Sequence, residues 1–398
     1  MRRILLLMIL AGAVLTATAA TAENFVGSLR SDYNMYQDAG KNDRFVFVQS
    51  VAGETPLPFM SKGWKLTFSG ELRDSNSPVK GVEEGRITTL ILANKIIGNR
   101  VDVRLGRFLA RAGGYSPIDG IEIGVATNPI RATVAYGYEY YPLYRTEASN
   151  LPDRKRVAAL LEGKLLGRLN WSLDHATRLK SGDIDDQVTT LGLRCRRFAT
   201  FGWDARVGYD NKATNVRDLM AGILYKPLKD LQLRLRYSER RYRIYLDSFF
   251  AQYEAAPTKL AGISARYALG DDWLWLALGF DRRLRDAGDL DRITASVANN
   301  QGELGIRLQT GEDLSQIGGW LNVGGELIPR LGWGLSVNFD RWDSAWDAEP
   351  TEEWANSLSL TYELSSIADL QGRVEQYRTG ELDSDIRGLL TFKLRYGL

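Results

Sequence analysis

The chain has 398 residues, 51 Lys+Arg against 49 Asp+Glu, one histidine and one cysteine. Without Arg2 and Arg3 the count is 49 of each sign, which leaves no support for a nucleic-acid partner, since such domains are strongly basic. A lone cysteine cannot form an internal disulfide, and one histidine with one cysteine argues against a transition-metal site.

Residues 1–22 read as a signal peptide. Arg2 and Arg3 form a basic start, Ile4 to Val14 an apolar run too short to span a bilayer, and Ala20-Thr21-Ala22 a small-residue cleavage site. Residues 23–398 then read as one domain. Its first part, 23–62, is the least regular. Val26 to Tyr36 and Phe45-Val46-Phe47-Val48 are either the first two strands or a short periplasmic extension.

From Trp64 onward the chain alternates apolar and polar residues for about ten residues, breaks at a turn and starts again; a tilted strand of about that length crosses a bilayer. Trp64 to Arg73 shows the pattern, as does Leu390 to Leu398. Between strands, short turns fall at Gly98-Asn99-Arg100, Thr127-Asn128-Pro129, Leu166-Gly167, Phe198 to Thr200, Pro227 to Asp230, Gly270-Asp271-Asp272, Asn300-Gln301-Gly302, Pro329-Arg330 and Ser366-Ile367-Ala368. They carry the Gly, Asn, Asp and Pro chemistry of hairpins. Longer segments separate them at Tyr141 to Asp153, Ser181 to Asp186, Tyr245 to Pro257 and Asp343 to Glu353. The expectation is an all-β, antiparallel up-and-down transmembrane barrel with an even number of strands, 18 to 22 and best counted as 22.

The phase of each strand assigns its faces. Phe201, Trp203, Ala205, Val207 and Tyr209 point one way, and Asp204, Arg206, Gly208 and Asp210 the other. Trp203, Trp333 and Trp354 stand near strand ends, where interfacial girdles belong, whereas Trp273-Leu274-Trp275-Leu276 has no clear phase. The polar phase carries too many charges for a dry core, so it should line a wet lumen. Arg194, Arg196, Arg206, Arg234, Arg236 and Arg266 should form a basic ladder there. Asp102, Glu122 and Glu139 on earlier strands, with Glu326, Asp340 and Glu363 on later ones, should make acidic wall partly opposite it. Fixed charges of opposite sign across a pore orient and select ions, here with an anion preference beside the basic wall. The competing reading pairs each arginine with a cross-strand carboxylate as a brace.

Catalysis finds little footing. His175 shares the apolar phase with Leu169, Trp171 and Leu173, and Cys195 shares it with Leu191 and Leu193, so both should face lipid. No Gly-Xaa-Ser-Xaa-Gly or His-Glu-Xaa-Xaa-His stands in the sequence. Asp183, Asp185 and Asp186 could hold Ca²⁺ in a loop, or simply be solvated.

The ending Phe392, Leu394, Tyr396 and Leu398, with Gly397, resembles the C-terminal signal of porin-like outer-membrane proteins of diderm bacteria, with Leu where that family usually has Phe. Val103-Arg104-Leu105-Gly106-Arg107-Phe108 followed by Ile118-Asp119-Gly120-Ile121-Glu122-Ile123 is similar to strands of porin-like barrels that pass organic anions or sugars. The resemblance implies residence in the cell outer membrane, among its lipid, and insertion by the outer-membrane assembly machinery. It also implies passive or weakly selective diffusion of small hydrophilic solutes, with no cofactor and no covalent chemistry. A second expectation is a structural or adhesive barrel with an occluded lumen, in which the loop Tyr245 to Pro257, carrying Phe249, Phe250 and Tyr253, binds partners.

Overall fold

The structure, a computed structural model, describes residues 25–37, 43–57, 63–75, 85–98, 100–140, 154–195, 200–241, 257–270, 273–285, 288–344, 349–379 and 385–396. Residues 1–24, which include the segment read as a signal peptide, lie outside them, as do Arg196, the segments 141–153 and 242–256, Gly397 and Leu398.

The described chain is a ring of strands. The N-terminal third holds β1 (Val26–Gln37), β2 (Asp43–Pro56), β3 (Lys65–Ser75), β4 (Gly85–Ile96), β5 (Val101–Ala110), β6 (Ser116–Thr127) and β7 (Ile130–Glu139), with a single four-residue turn of helix, α1 (Ala112–Tyr115), between β5 and β6. Then come β8 (Arg154–Leu165), β9 (Leu169–Lys180), β10 (Asp183–Cys195), β11 (Phe201–Asp210), β12 (Asn215–Leu228), β13 (Leu231–Arg240) and β14 (Thr258–Leu269). The last third holds β15 (Leu274–Leu284), β16 (Leu290–Ala298), β17 (Gly302–Gly311), β18 (Leu314–Ile328), β19 (Leu331–Ser344), β20 (Thr351–Ser365), β21 (Ala368–Arg378) and β22 (Asp385–Tyr396).

Every strand pairs antiparallel with its sequence neighbours, and β1 pairs with β22 from Gly27–Tyr396 to Met35–Gly388, closing a 22-stranded barrel. Closure removes both sheet edges, so each backbone group inside the ladder has a partner. The least regular stretch of sequence supplies β1 and β2, which are full members of the ring. The start of β1 and the end of β22 lie at the end of the barrel that carries the short turns. At the other end, Ser181–Asp186 is not a long loop. Ser181 and Gly182 both take positive φ, the two-residue hairpin geometry, and β10 begins at Asp183. Strands also run deep into the segment expected as a loop at Asp343 to Glu353, where β19 ends at Ser344 and β20 starts at Thr351.

Side chains paired across strands share a face. The row Ile123–Val134–Ala159–His175–Thr189 points outward, with Ile123 and Val134 42% and 54% exposed. The same outer face carries Leu191, Leu235, Leu278, Leu304, Ile306, Ile317, Leu358 and Leu390 as large exposed apolar residues. This apolar band encircles the barrel, far beyond the few hundred Å² that a water-soluble monomer shows. Trp203 and Trp333 stand outward near the turn end and Trp354 outward near the loop end, its ring 4.5 Å from that of Phe339. No described helix is long and apolar enough to cross a membrane; strands cross in a barrel.

Candidate functional site

The inner face is where the charges meet. On β5 to β10 it forms a belt of arginine–carboxylate pairs. Arg104 reaches Glu122 at 2.9 Å, Arg131 reaches Asp102 at 2.7 Å with Arg111 at 3.2 Å, and Arg156 reaches Glu139 at 2.5 Å. Arg178, its side chain only 1% exposed, lies between Glu139 at 3.8 Å and Asp185. The expected acidic wall of Asp102, Glu122 and Glu139 is therefore not free charge: each carboxylate is matched by arginine. Asp185 is occupied by Arg178 and Asp186 lies 3.5 Å from Arg217, so these acids brace the barrel instead of forming a loop cluster with Asp183. Among the described residues no group of acids, His and Cys is placed to hold a metal ion.

A short plug of chain covers this belt. The α1 turn leaves the wall and packs on the inner faces of β8 and β9. Gly113 and Gly114 take φ of 80° and 74°, and Tyr115 follows at 60°, a left-handed run that glycine admits at no steric cost. The turn is anchored by Gly113 N–H donating to Asp174 at 2.7 Å and by Arg111 N–H donating to Glu122 at 2.5 Å. Beneath it Phe108, Ala110, Ala112, Ile118, Ala135 and Ala158 form a small buried apolar cluster. Small residues at 135 and 158 make room for the turn.

The Leu-Gly-Arg and Asp-Gly strands meet beside it. Arg107 donates two hydrogen bonds to Asp119, both 2.7 Å, and its guanidinium stacks on Tyr140 at 4.6 Å. Their row runs Leu90–Arg107–Asp119–Tyr138, on the outer face near the loop end. One position away, Gly106, Gly120 and Gly137 sit side by side, and a Cβ on any of them would overlap a neighbouring backbone carbonyl oxygen.

The basic ladder occupies β10 to β14. Arg194 and Arg236 share one inner row with Asp204 and Asp281, and Arg234 shares the next with Ser264. Arg236 is taken up by Asp281 at 2.7 Å, which also binds Arg292 at 2.8 Å, and Arg206 lies 3.5 Å from Asp218. Arg194 and Arg234 are exposed and have no ion pair among the described residues. Arg266 lies over the Trp275 ring at 5.1 Å, which places Trp275 inside and Leu274 and Leu276 outside.

The later acids do not stand across from this wall. In a closed ring of 22, β12 faces β1, whereas Glu326, Asp340 and Glu363 sit on β18, β19 and β20 and the earlier acids on β5 to β7. They flank the basic wall on both sides. Asp340 is bound by Arg307 and Gln316, each at 2.6 Å; Glu326 accepts the Arg330 N–H in its turn; Glu363 is exposed. The wall that does face β12 has mixed charge. Arg30 reaches Asp32 at 2.8 Å, Thr391 donates to Asp32 at 2.6 Å, and Arg395 pairs with Asp369.

Two features of the inner face were not read from the sequence. The first is the belt of Arg104, Arg131, Arg156 and Arg178, whose partners depend on register. The second is a recess of about 650 Å³ along β14 to β21, lined by Arg266, Trp275, Asn322, Ser336, Ser357 and Arg373 among others. His175 stays outside, hydrogen-bonded to Thr189 at 2.9 Å, and Cys195 faces out at the turn end, paired with Trp203 in the ladder. Phe392, Leu394 and Tyr396 face outward on β22 beside the closing strand.

No family model and no curated protein matches the chain. Among solved structures, the translocation pore of the P pilus usher PapC aligns over 93% of this chain and 99% of that one, at 8% identity and a TM-score of 0.55. Pseudomonas aeruginosa OccK11 (OpdR) aligns over 94% and 96% at 15% identity, and OccK5 (OpdH) of the same organism over 94% and 99% at 13%, both with a TM-score of 0.46. The likeness to the usher pore shows the fold, a closed antiparallel barrel of the outer-membrane kind.

Proposed function

We propose that the chain is an outer-membrane pore for small hydrophilic solutes. The observation that carries this reading is the inversion of the molecule. Large apolar residues such as Ile306 and Val134 cover the outside, while arginines and carboxylates face each other within. Barrels of about 16–18 strands already enclose an aqueous channel, and 22 strands give a wider lumen. In this reading the turn end lies in the periplasm and the loops outside, lipid covers the apolar band, and Phe392, Leu394 and Tyr396 present the assembly signal. The inner face binds and orients solutes; no residue performs covalent chemistry.

The finer reading is a preference for anions along β10 to β14. Arg194, Arg234 and Arg266 project unneutralised cations into water there, whereas the charges of β5 to β9 cancel in pairs. Arg194→Glu combined with Arg234→Glu should move the reversal potential of the planar-bilayer current toward the cation value. Arg236→Glu alone is expected to disturb folding instead, because it strands a like charge against Asp281. An unmoved reversal potential in the double variant removes the anion preference. A folded barrel that conducts no current at all favours the occluded, partner-binding alternative.

A further inference from the structure

Trp320 lies on the inner face of β18, in the row Ser296–Gly305–Trp320–Asn338. Its ring rests flat on the wall. A Cβ built on Gly305 falls onto the ring atoms Cζ2, Cε2 and Cη2, so the absence of a side chain at 305 is what lets the indole lie down. One aromatic face is thus turned to the wall and the other toward the lumen. Gly318 precedes it on the same face, where the side chain of Asp340 fills the space a Cβ would take, so no side chain of β18 stands up beside the ring on that side.

The polar surroundings of the ring differ by side: the Arg307–Asp340 ion pair lies toward Gly318, and neutral groups lie on the other side. Asn338 is its cross-strand partner, and Asn322 is the next inward residue along β18. Ser336 donates to Asn322 at 2.7 Å and accepts from Asn338 at 3.3 Å, so a chain of neutral amides and hydroxyls runs beside the indole. This chain leads into the recess of about 650 Å³, where Ser357 and Ser359 add further hydroxyls and Glu303, Arg266 and Arg373 add charged groups. At the far side of the recess stands a second indole, Trp275, three strands away in the row that ends at Asn322. Three strand spacings are about 14 Å.

A flat, apolar aromatic face edged on one side by neutral donors and acceptors matches one ligand chemistry well. A pyranose ring offers an apolar C–H face to the indole and a rim of hydroxyls to amides and serines, each able both to donate and to accept. We propose that Trp320, with Asn322, Ser336 and Asn338, is a binding subsite for a neutral oligosaccharide, whose chain extends through the recess toward Trp275. The site rests on the pore reading, because the wall meets solutes only if the lumen is open to water.

The test is calorimetric titration of the full-length barrel, folded in detergent, with three neutral hexaoses: maltohexaose, cellohexaose and chitohexaose. At least one should bind, Trp320→Ala should weaken it about tenfold or more, and Trp320→Phe, which restores an aromatic face, should recover most of the loss. Gly305→Ala, which lifts the indole off the wall, should weaken binding without removing the ring. Absence of binding by all three sugars, or equal binding by Trp320→Ala, overturns the proposal. Conductance separates the two levels: a conducting barrel without sugar affinity sinks the subsite and leaves the pore, while sugar binding that depends on Trp320 in a silent barrel upholds the subsite and sinks free diffusion.

Discussion

Replacing Arg178 by alanine should destabilise the barrel by about 3–5 kcal/mol, the usual penalty for breaking a buried ion pair from one side. The guanidinium is almost wholly enclosed and lies between Glu139 and Asp185, which come from β7 and the start of β10. Removing it leaves Glu139, itself 5% exposed at the side chain, with Arg156 alone, and leaves Asp185 facing a cavity. Coulomb attraction between surface charges does not produce such an effect; exposed pairs contribute about 0–1 kcal/mol. Arg282→Ala, whose partner Asp289 is likewise open to water, supplies that contrast and should leave stability almost unchanged, because solvent screens the pair. Urea unfolding of both variants in lipid vesicles measures the difference. A near-neutral Arg178→Ala would mean that the belt does not bear on stability.

Placing a charge on the outer face should be costly in a way that the inner face is not. Ile306 sits mid-strand on β17 and is 55% exposed, in a row with Ala295 and Gly319. Ile306→Arg should destabilise the barrel in a bilayer by about 2–4 kcal/mol, the penalty of a cation near the midplane on a lipid-facing strand. Ser296→Arg, one residue away from Ala295 in sequence but on the inner face, should change stability by no more than about 0.5 kcal/mol, as for an ordinary wet surface. The pair forms an internal control, since the two sites differ in face far more than in depth. Equal penalties for both would remove the distinction between a lipid face and a water face.

The ring itself was legible because its causes are local. A two-residue period needs only the order of side chains along one strand, and turn residues such as Pro329-Arg330 or Leu166-Gly167 announce themselves within two or three positions. The even count and the outward phase of His175, Cys195 and Trp203 follow from that alone. Ser181–Asp186 misled because acidic residues look like loop, whereas Gly182 with positive φ makes a tight turn and Asp185 and Asp186 find arginines. What lies across from what depends on register, and a shift of one residue reverses every face. The pairing of Glu122 with Arg104, or of Asp340 with Arg307, could therefore not be read from spacing. Nor could the position of the acids relative to the basic ladder, which is set by the number of strands between them once the ring closes. The inward fold of α1 depends on Ala135 and Ala158, small residues on two other strands, together with an acceptor at Asp174 on a third.

The most direct measurement of the inverted barrel is a spin-label scan of β17, from Glu303 to Gln309 in a Cys195→Ser background, in bilayers with oxygen as the lipid-borne relaxer and a nickel chelate as the aqueous one. Labels at positions 304, 306 and 308 should relax with oxygen, and those at 303, 305, 307 and 309 with nickel, in strict alternation. A scan in which both sets respond to the aqueous relaxer, or in which the positions at 304, 306 and 308 are shielded from both, would contradict a lipid-clad exterior around a wet lumen.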